Sequence, residues 1–247
     1  MKLYGRSDIG KKRSKNEDCF VTGELLNEVF YTVVCDGMGG AAAGDKASFF
    51  ACEMVKTLLE KMYRTGLNDS SLKNMLVSIV LAVNAKVFEK SESDPSLAGM
   101  GTTLVLVLVR KDSAHIIHVG DSRAYLIREG EINKLTKDHS VVQSMIDSGE
   151  LTDAQAHRHP QRNYITRAIG IDRNLKVDYN NIVLHREDKI LVCTDGFTEY
   201  FDDKDIYSLV QNEDRDIVKT DDRIIDKTIE AGGADNITAV LMEYDGE

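Results

Sequence analysis

The chain has 247 residues, a hydrophobic content of 42% and a formal charge of −10 at neutral pH. That length can bury a sizeable core as one domain, residues 1–247, and no Pro/Gly/Ser-rich linker, low-complexity tract or solenoid repeat divides it. The acidic balance argues against nucleic acid as a partner, because such binding rests on a clustered basic footprint. The opening MKLYGRSDIG has no apolar core of a signal peptide. No run of about 18 or more apolar residues offers a bilayer span, so the expectation is a cytoplasmic monomer without a membrane segment.

From Cys19 to Cys35 the pattern is strand, polar turn, strand. A turn near Asn27 and Glu28 places Asp18 and Asp36 at the same open end of one hairpin. Apolar residues at helical spacing predict a helix from about Asp45 to Arg64 (Ala47, Phe50, Met54, Leu58, Met62). A second runs from Ser71 to Phe88 (Leu72, Met75, Ile79, Val83, Val87). A strand-rich block follows, TTLVLVLV, HIIHVG, AYLI and INKLT, joined at Lys111–Ser113, at Asp121–Arg123 and at Glu129–Gly130. Connections this short predict antiparallel neighbours.

Between His139 and Ile169 the apolar signal weakens to a short helix around Val141–Ile146 and a capping box of Thr152 with Gln155. This segment reads as a flap-like surface excursion at about 140–165. Beyond it come the strand ILVCT, helices near Asp203–Gln211 and Asp222–Ala231, and a closing strand Ile237–Glu243. The fold class expected is α+β, with helices packed outside antiparallel sheets.

Four apolar runs meet an aspartate beside a glycine or small polar residue: VVCDGMGG at Asp36, HVGDSRAYL at Asp121, LVCTDGFTEY at Asp195 and GGADNITAVLM at Asp235. Asp-Gly pairs close many turns and need no ion. Two of them at the ends of separate apolar strands, with Asp121-Ser122 and Asp235-Asn236 besides, favour a metal site. If those strand ends converge, each like-charge pair at ~5 Å costs about 3 kcal/mol at an effective dielectric near 20. Hard divalent cations remove that conflict, and an all-oxygen set without a matching His or Cys group favours Mg or Mn over Zn. Asp36, followed by Gly37 with its inward-turning carbonyl, is the candidate to bridge two ions, and Asp195 and Asp235 could complete one shell. Two such ions can hold a shared water, lower its pKa and direct it in line at phosphorus.

Arg13, in RSDIGKKRSKNED just before Glu17 and Asp18, has the planar fork that matches phosphoryl oxygens. It could equally belong to a solvated basic stretch with Lys11, Lys12 and Lys15. Cys35 and Cys193 read as small buried hydrophobes, and Cys19 and Cys52 have no C-x-x-C spacing. His157 and His159 form an H-x-H pair with no evident third ligand, so they read as surface residues. His115 and His118, three apart in a strand, point to opposite faces. His139 has no role that spacing assigns.

Taken in order, RSDIGKKRSKNED, VVCDGMGG, GMGTTLV, VGDSRAYL, LTKDHSVV, HPQRNYITRAIG, LVCTDGFTEY and DNITAVL resemble the metal-dependent serine/threonine protein phosphatases of type 2C in their short bacterial form. The match runs from about Ser7 to Leu241. It implies a four-layer α/β/β/α sandwich of two mainly antiparallel sheets flanked by helices, with the site in a cleft at one end. It also implies Asp36 bridging two Mn2+ or Mg2+ ions, the Gly37 carbonyl on one and Asp195 and Asp235 on the other. Glu17 and Asp18 would act through water, with Asn236 beside them, and Arg13 would hold the phosphate. A third, weaker ion would sit at Asp121 and Asp195, beside the flap. Phosphorylated proteins and Ser/Thr kinases would be the substrates. The chain departs from the pattern where many relatives have a histidine, at Met38 and Ala41, which assigns leaving-group protonation to water. Two alternatives use the same residues differently: a pseudophosphatase that binds phosphopeptides, and a metal-dependent hydrolase of nucleic acid or small phosphoesters.

Overall fold

Strand Leu104–Arg110, LVLVLVR, is buried on both faces, and its period of two sorts its side chains. Leu104, Leu106 and Leu108 enter a core beneath helices, whereas Val105, Val107 and Val109 enter a second core against another sheet. A strand apolar on both sides needs a partner layer on each, and this requirement sets the architecture. The computed structural model describes residues 1–38, 43–211 and 216–246.

One sheet runs in the order β1 (Lys2–Asp8), β11 (Ile237–Glu243), β10 (Lys189–Cys193), β7 (Arg123–Arg128), β8 (Glu131–Lys134). The other runs β2 (Asp18–Leu25), β3 (Val29–Met38), β5 (Leu104–Arg110), β6 (Ser113–Val119), β9 (Asp178–Val183), with β4 (Gly101–Thr102) on the end of β3. The pairings within both sheets are antiparallel. Helices α1 (Gly44–Met62) and α2 (Asp69–Ser93) share the outer core of the second sheet. Helices α5 (Asp195–Thr198), α6 (Asp203–Val210) and α7 (Ile217–Ala231) cover the first, packing Ile206, Ile224 and Ile225 against Leu191 and Leu241. The result is the expected α/β/β/α sandwich.

Helix α2 has the length and mean hydropathy of a membrane span, 1.4 over its best window. Its apolar stripe of Leu72, Leu76, Ile79, Val83 and Val87 is buried in the core instead. The helix also starts earlier and ends later than predicted. Asn68 caps it by accepting from Ser71 N, and polar residues carry it to Ser93. Helix α7 likewise begins at Ile217 rather than Asp222, capped by Asp216.

Two edge strands have no clear sequence signal: β1 (KLYGRSD) and β9 (DYNNIV) are polar and only partly buried. One connection differs from expectation in kind. The Asp121–Arg123 turn closes no hairpin; it carries the chain from β6 in one sheet to β7 in the other. Gly120 makes that crossing with φ of 106°, and a Cβ there would lie 2.6 Å from the Thr103 side chain.

Candidate active site

The sheet register brings the aspartates together. Asp18 and Asp36 are direct partners across β2 and β3, and the turn between those strands uses Asn27 and Glu28, both at positive φ. On the other sheet Asp195 follows β10 and Asp235 precedes β11, adjacent strands joined here by Thr194 N donating to Thr238 O at 3.1 Å. Gly196 permits this approach, since a Cβ there would lie 1.9 Å from the Asn236 carbonyl oxygen. Gly37 serves the facing edge, where a Cβ would lie 2.1 Å from Gly44 O and 2.6 Å from Glu17 O.

Crowding and burial push the carboxyls of Asp18, Asp36, Asp121 and Asp195 toward the neutral form. Burial raises Asp36 well above the usual range, and the charges of Asp18, Asp195 and Asp121 add to it. Asp195 is raised by burial and then by Asp235, although it stands close enough to Asp36 for the two to share a proton. Burial takes Asp18 to about 7 and Asp121 to about 8, with Asp195 adding to both. Among the described residues a single guanidinium is paired with the group: Arg13 Nη2 lies 2.7 Å from Asp235 Oδ2. Asp18 Oδ1 is buried without a hydrogen-bond partner. An orphaned carboxylate oxygen inside a cluster of like charges, all oxygen donors, fits hard divalent cations.

The flanking residues divide by task. Asn236 spends its amide on backbone: Oδ1 accepts from Glu17 N at 2.8 Å, and Nδ2 donates to Ile9 O and Lys15 O. It therefore braces the loop that carries Arg13 and Glu17. The Glu17 carboxyl lies against Gly44 at the start of α1. Asp36 is fixed by its backbone, with N donating to Thr103 Oγ1 at 2.9 Å and O accepting from Thr103 N at 2.8 Å. Thr103 Oγ1 in turn bonds Ser122 Oγ at 2.7 Å, tying Asp36 to the turn of Asp121. Met38 pairs with Gly101 in β4, and Ala41 lies outside the described residues.

Asp121 and Asp195 face one cleft of about 440 Å³, whose other wall includes Ser140, Gln143, Ile146 and Arg162. These belong to the excursion, which contains α3 (Val141–Asp147) and α4 (Asp153–Ala156), the latter with its predicted capping box. A bridge between Ser140 and Ile165 closes its neck, and Arg162 Nη2 reaches Glu199 Oε1 at 2.7 Å across the cleft.

His139 has a task that spacing did not reveal. It exchanges two bonds with Gly120: its N donates to Gly120 O at 2.9 Å, and Gly120 N donates to its Nδ1 at 3.1 Å. The proton must then sit on Nε2, which faces Asp178 Oδ2 at 3.3 Å. With His118 stacked on it, this trio has the spacing of a metal group. Arg167 Nη1, 3.0 Å from both Asp178 Oδ1 and His139 Nε2, fills the place a cation would need. Burial, then His118, lowers the His139 pKa to about 4 and keeps it neutral. The trio is a hydrogen-bond clasp beneath the Asp121 turn.

The other singled-out residues stand apart from the site. His115 Nδ1 meets Tyr179 OH at 2.8 Å, on the face opposite to His118. His157 is exposed in the excursion. All four cysteines are free, and burial takes the Cys193 thiol up to about 12.

The sequence matches the protein phosphatase 2C family over residues 4–227. The chain belongs to the protein phosphatase 2C family. It is 34% identical over 243 residues to the serine/threonine phosphatase stp of Listeria monocytogenes serotype 4b, covering 97% of this chain and 94% of that one. It is 33% identical to the serine/threonine protein phosphatase PstP of Mycobacterium tuberculosis over 99% of this chain, which corresponds to 46% of that longer protein. The crystal structure of serine/threonine phosphatase Stp1 from Staphylococcus aureus superposes with a TM-score of 0.94 at 32% identity, covering 99% of this chain and 95% of Stp1. This family member is accordingly a metal-dependent phosphatase of serine and threonine phosphates on proteins. Nothing favours the pseudophosphatase alternative.

Proposed function

We propose that the chain, acting as one domain and as a monomer, removes phosphate from serine and threonine on proteins through a centre of two Mn2+ or Mg2+ ions, opposing bacterial-type Ser/Thr kinases. The observation that carries this reading is the convergence of Asp18, Asp36, Asp195 and Asp235 from both sheets with Asp18 Oδ1 unpartnered. Asp36 would be the carboxylate shared between the ions, since it lies among the charges of Asp18, Asp195 and Asp121. Asp195, Asp235 and the Gly37 carbonyl would complete the pair of sites, and Glu17 and Asp18 would act through water. Asp121, with Asp195, would hold a third and weaker ion beside the excursion, which would serve as a flap.

Cations bound there supply the charge that lets a water ionise near neutral pH and that offsets charge spreading over the phosphoryl oxygens. The protein supplies position. Arg13, half-exposed on Asp235, can turn its fork from that carboxylate to two phosphoryl oxygens, which would orient phosphorus. Thr103 and the Gly37 turn hold Asp36 rigid while this occurs. Protonation of the leaving hydroxyl falls to water.

The test measures phosphate release from a phosphothreonine peptide beside a phosphotyrosine peptide and a nucleotide, with and without Mn2+. Hydrolysis of the phosphothreonine peptide should require the metal and fall by about 10²–10³-fold or more in Asp36→Asn, the scale of losing one preorganised charge-stabilising group. Undiminished turnover after exhaustive chelation overturns the proposal. In Asp121→Ala, calorimetry should count one Mn2+ fewer, with the two tighter ions retained.

A further inference from the structure

Asp18 is held by more than its strand. Its Oδ2 accepts from two hydroxyls, Thr238 Oγ1 at 2.7 Å and Thr194 Oγ1 at 2.9 Å. Each hydroxyl has one proton, so both are committed to Asp18 and everything behind them must donate. Thr238 Oγ1 therefore accepts from Ser7 Oγ at 2.8 Å, and Ser7 Oγ accepts from Asn16 Nδ2 at 2.8 Å. That orientation of the Asn16 amide leaves its Oδ1 to accept from the backbone N of Asp18 at 3.1 Å. Thr194 Oγ1 accepts from Thr238 N at 3.0 Å.

The bonds form a closed circuit that leaves Asp18 at its backbone N–H and returns to its carboxylate. It has one possible direction. The circuit joins β2 of one sheet to β1, β11 and the end of β10 in the other, at the end of the sandwich where the aspartates meet. With Oδ2 saturated by two donors, Oδ1 is the atom of Asp18 left for the cluster, and it is buried and unpartnered.

We propose that the Thr238 hydroxyl, backed by Ser7 and Asn16 and flanked by Thr194, is a positioning device that presents Asp18 to the bound cations through Oδ1 alone. This rests on the two-cation reading above. Partners that orient a metal site's ligands commonly carry about 10–100-fold in metal affinity. The hydroxyl role and a packing role for Thr238 have opposite signatures. Valine keeps the shape of threonine without the donor, whereas serine keeps the donor without the methyl group.

The experiment titrates Mn2+ calorimetrically into wild type, Thr238→Val, Thr238→Ser and Asp36→Asn, and records each unfolding midpoint in chelator. Thr238→Val should bind Mn2+ about 10–100-fold more weakly than wild type, and Thr238→Ser should recover the affinity even where its midpoint is the lower of the two. Equal affinity in Thr238→Val and wild type overturns the device, as does a serine variant as weak as the valine one. Absence of Mn2+ binding in wild type instead removes the two-cation reading itself. Should Thr238→Val fail to fold, Ser7→Ala decides: it removes the donor behind Thr238 and should weaken Mn2+ binding in the same direction, and unchanged affinity there overturns the proposal.

Discussion

Buried aspartates in this molecule live under two regimes. Away from the site, Asp138 is gripped by Arg123 through Nε at 3.1 Å and Nη2 at 2.7 Å. Asp188, almost fully buried, is held by the Arg128 fork and by His185 N. At the joined ends of the sheets, Asp18, Asp36, Asp121 and Asp195 are comparably enclosed, yet no guanidinium pairs with any of them among the described residues. Burial alone would raise the Asp138 pKa, but Arg123 and Lys134 hold it below the usual range, while Asp36 is driven far above it. The fold neutralises charge from within where the role is structural, and leaves it uncompensated where an external cation is to enter.

This contrast is sharpest as a difference in sign. In chelator, Asp138→Asn should destabilise by about 3–5 kcal/mol, because it leaves the guanidinium of Arg123 buried without its counter-charge. Asp36→Asn should do the opposite under the same conditions and raise the unfolding midpoint, since it removes one repelling carboxyl from the cluster. A cluster variant that destabilises as Asp138→Asn does would erase the distinction.

Asp221 belongs to neither regime. It is fully buried in α7, its carboxyl oxygens lack hydrogen-bond partners among the described residues, and the nearby charge and backbone amide of Arg6 offset only part of the burial. Burial, then Asp222, raises its pKa from 3.8 to about 8. Because the folded value is the higher one, the native state keeps a proton that the unfolded chain has released, so stability falls as pH rises between those values. Asp221→Asn has no proton to keep. It should gain on wild type steadily as the pH climbs from about 4 to about 8, read by urea unfolding at saturating Mn2+, since each unit of pKa difference is worth about 1.4 kcal/mol. A constant difference across that range would show that Asp221 does not titrate there.

What the sequence discloses follows from what kind of information each feature needs. Apolar periodicity located the central strands and both long helices, because those segments are buried and their pattern is their burial. The aspartates were legible for the same reason: each interrupts or ends a run of Val, Leu and Ile, as Asp36 and Asp195 do. Strands β1 and β9 were silent because an edge strand meets its neighbour by backbone and needs no alternation. The crossing at Asp121 was misread as a hairpin because turn length fixes distance, not which sheet the next strand joins. His139, Thr194, Thr238, Ser7 and Asn16 lay beyond reach altogether. Their tasks are hydrogen bonds between residues far apart in the chain, such as Asp18 with Thr238, and no local spacing encodes them.

The smallest expected effect concerns the pair that spans the cleft. Arg162 and Glu199 are joined at 2.7 Å, like the buried pairs, but their side chains are 44% and 35% exposed. Water screens such a bond, and holding two long side chains in one geometry costs entropy, so it contributes about 0.2–1 kcal/mol at most. Arg162→Ala should therefore shift the unfolding midpoint by less than any change above, and the shift should vanish in high salt. The consequence is local: with its neck at Ser140–Ile165 intact and its far contact removed, the excursion should open more readily while the sandwich beneath it stays closed. Hydrogen exchange should then quicken within residues 141–164 and stay unchanged in β10 and β11. Faster exchange in those strands would mean that the excursion supports the fold, and that an exposed ion pair here carries the weight of a buried one.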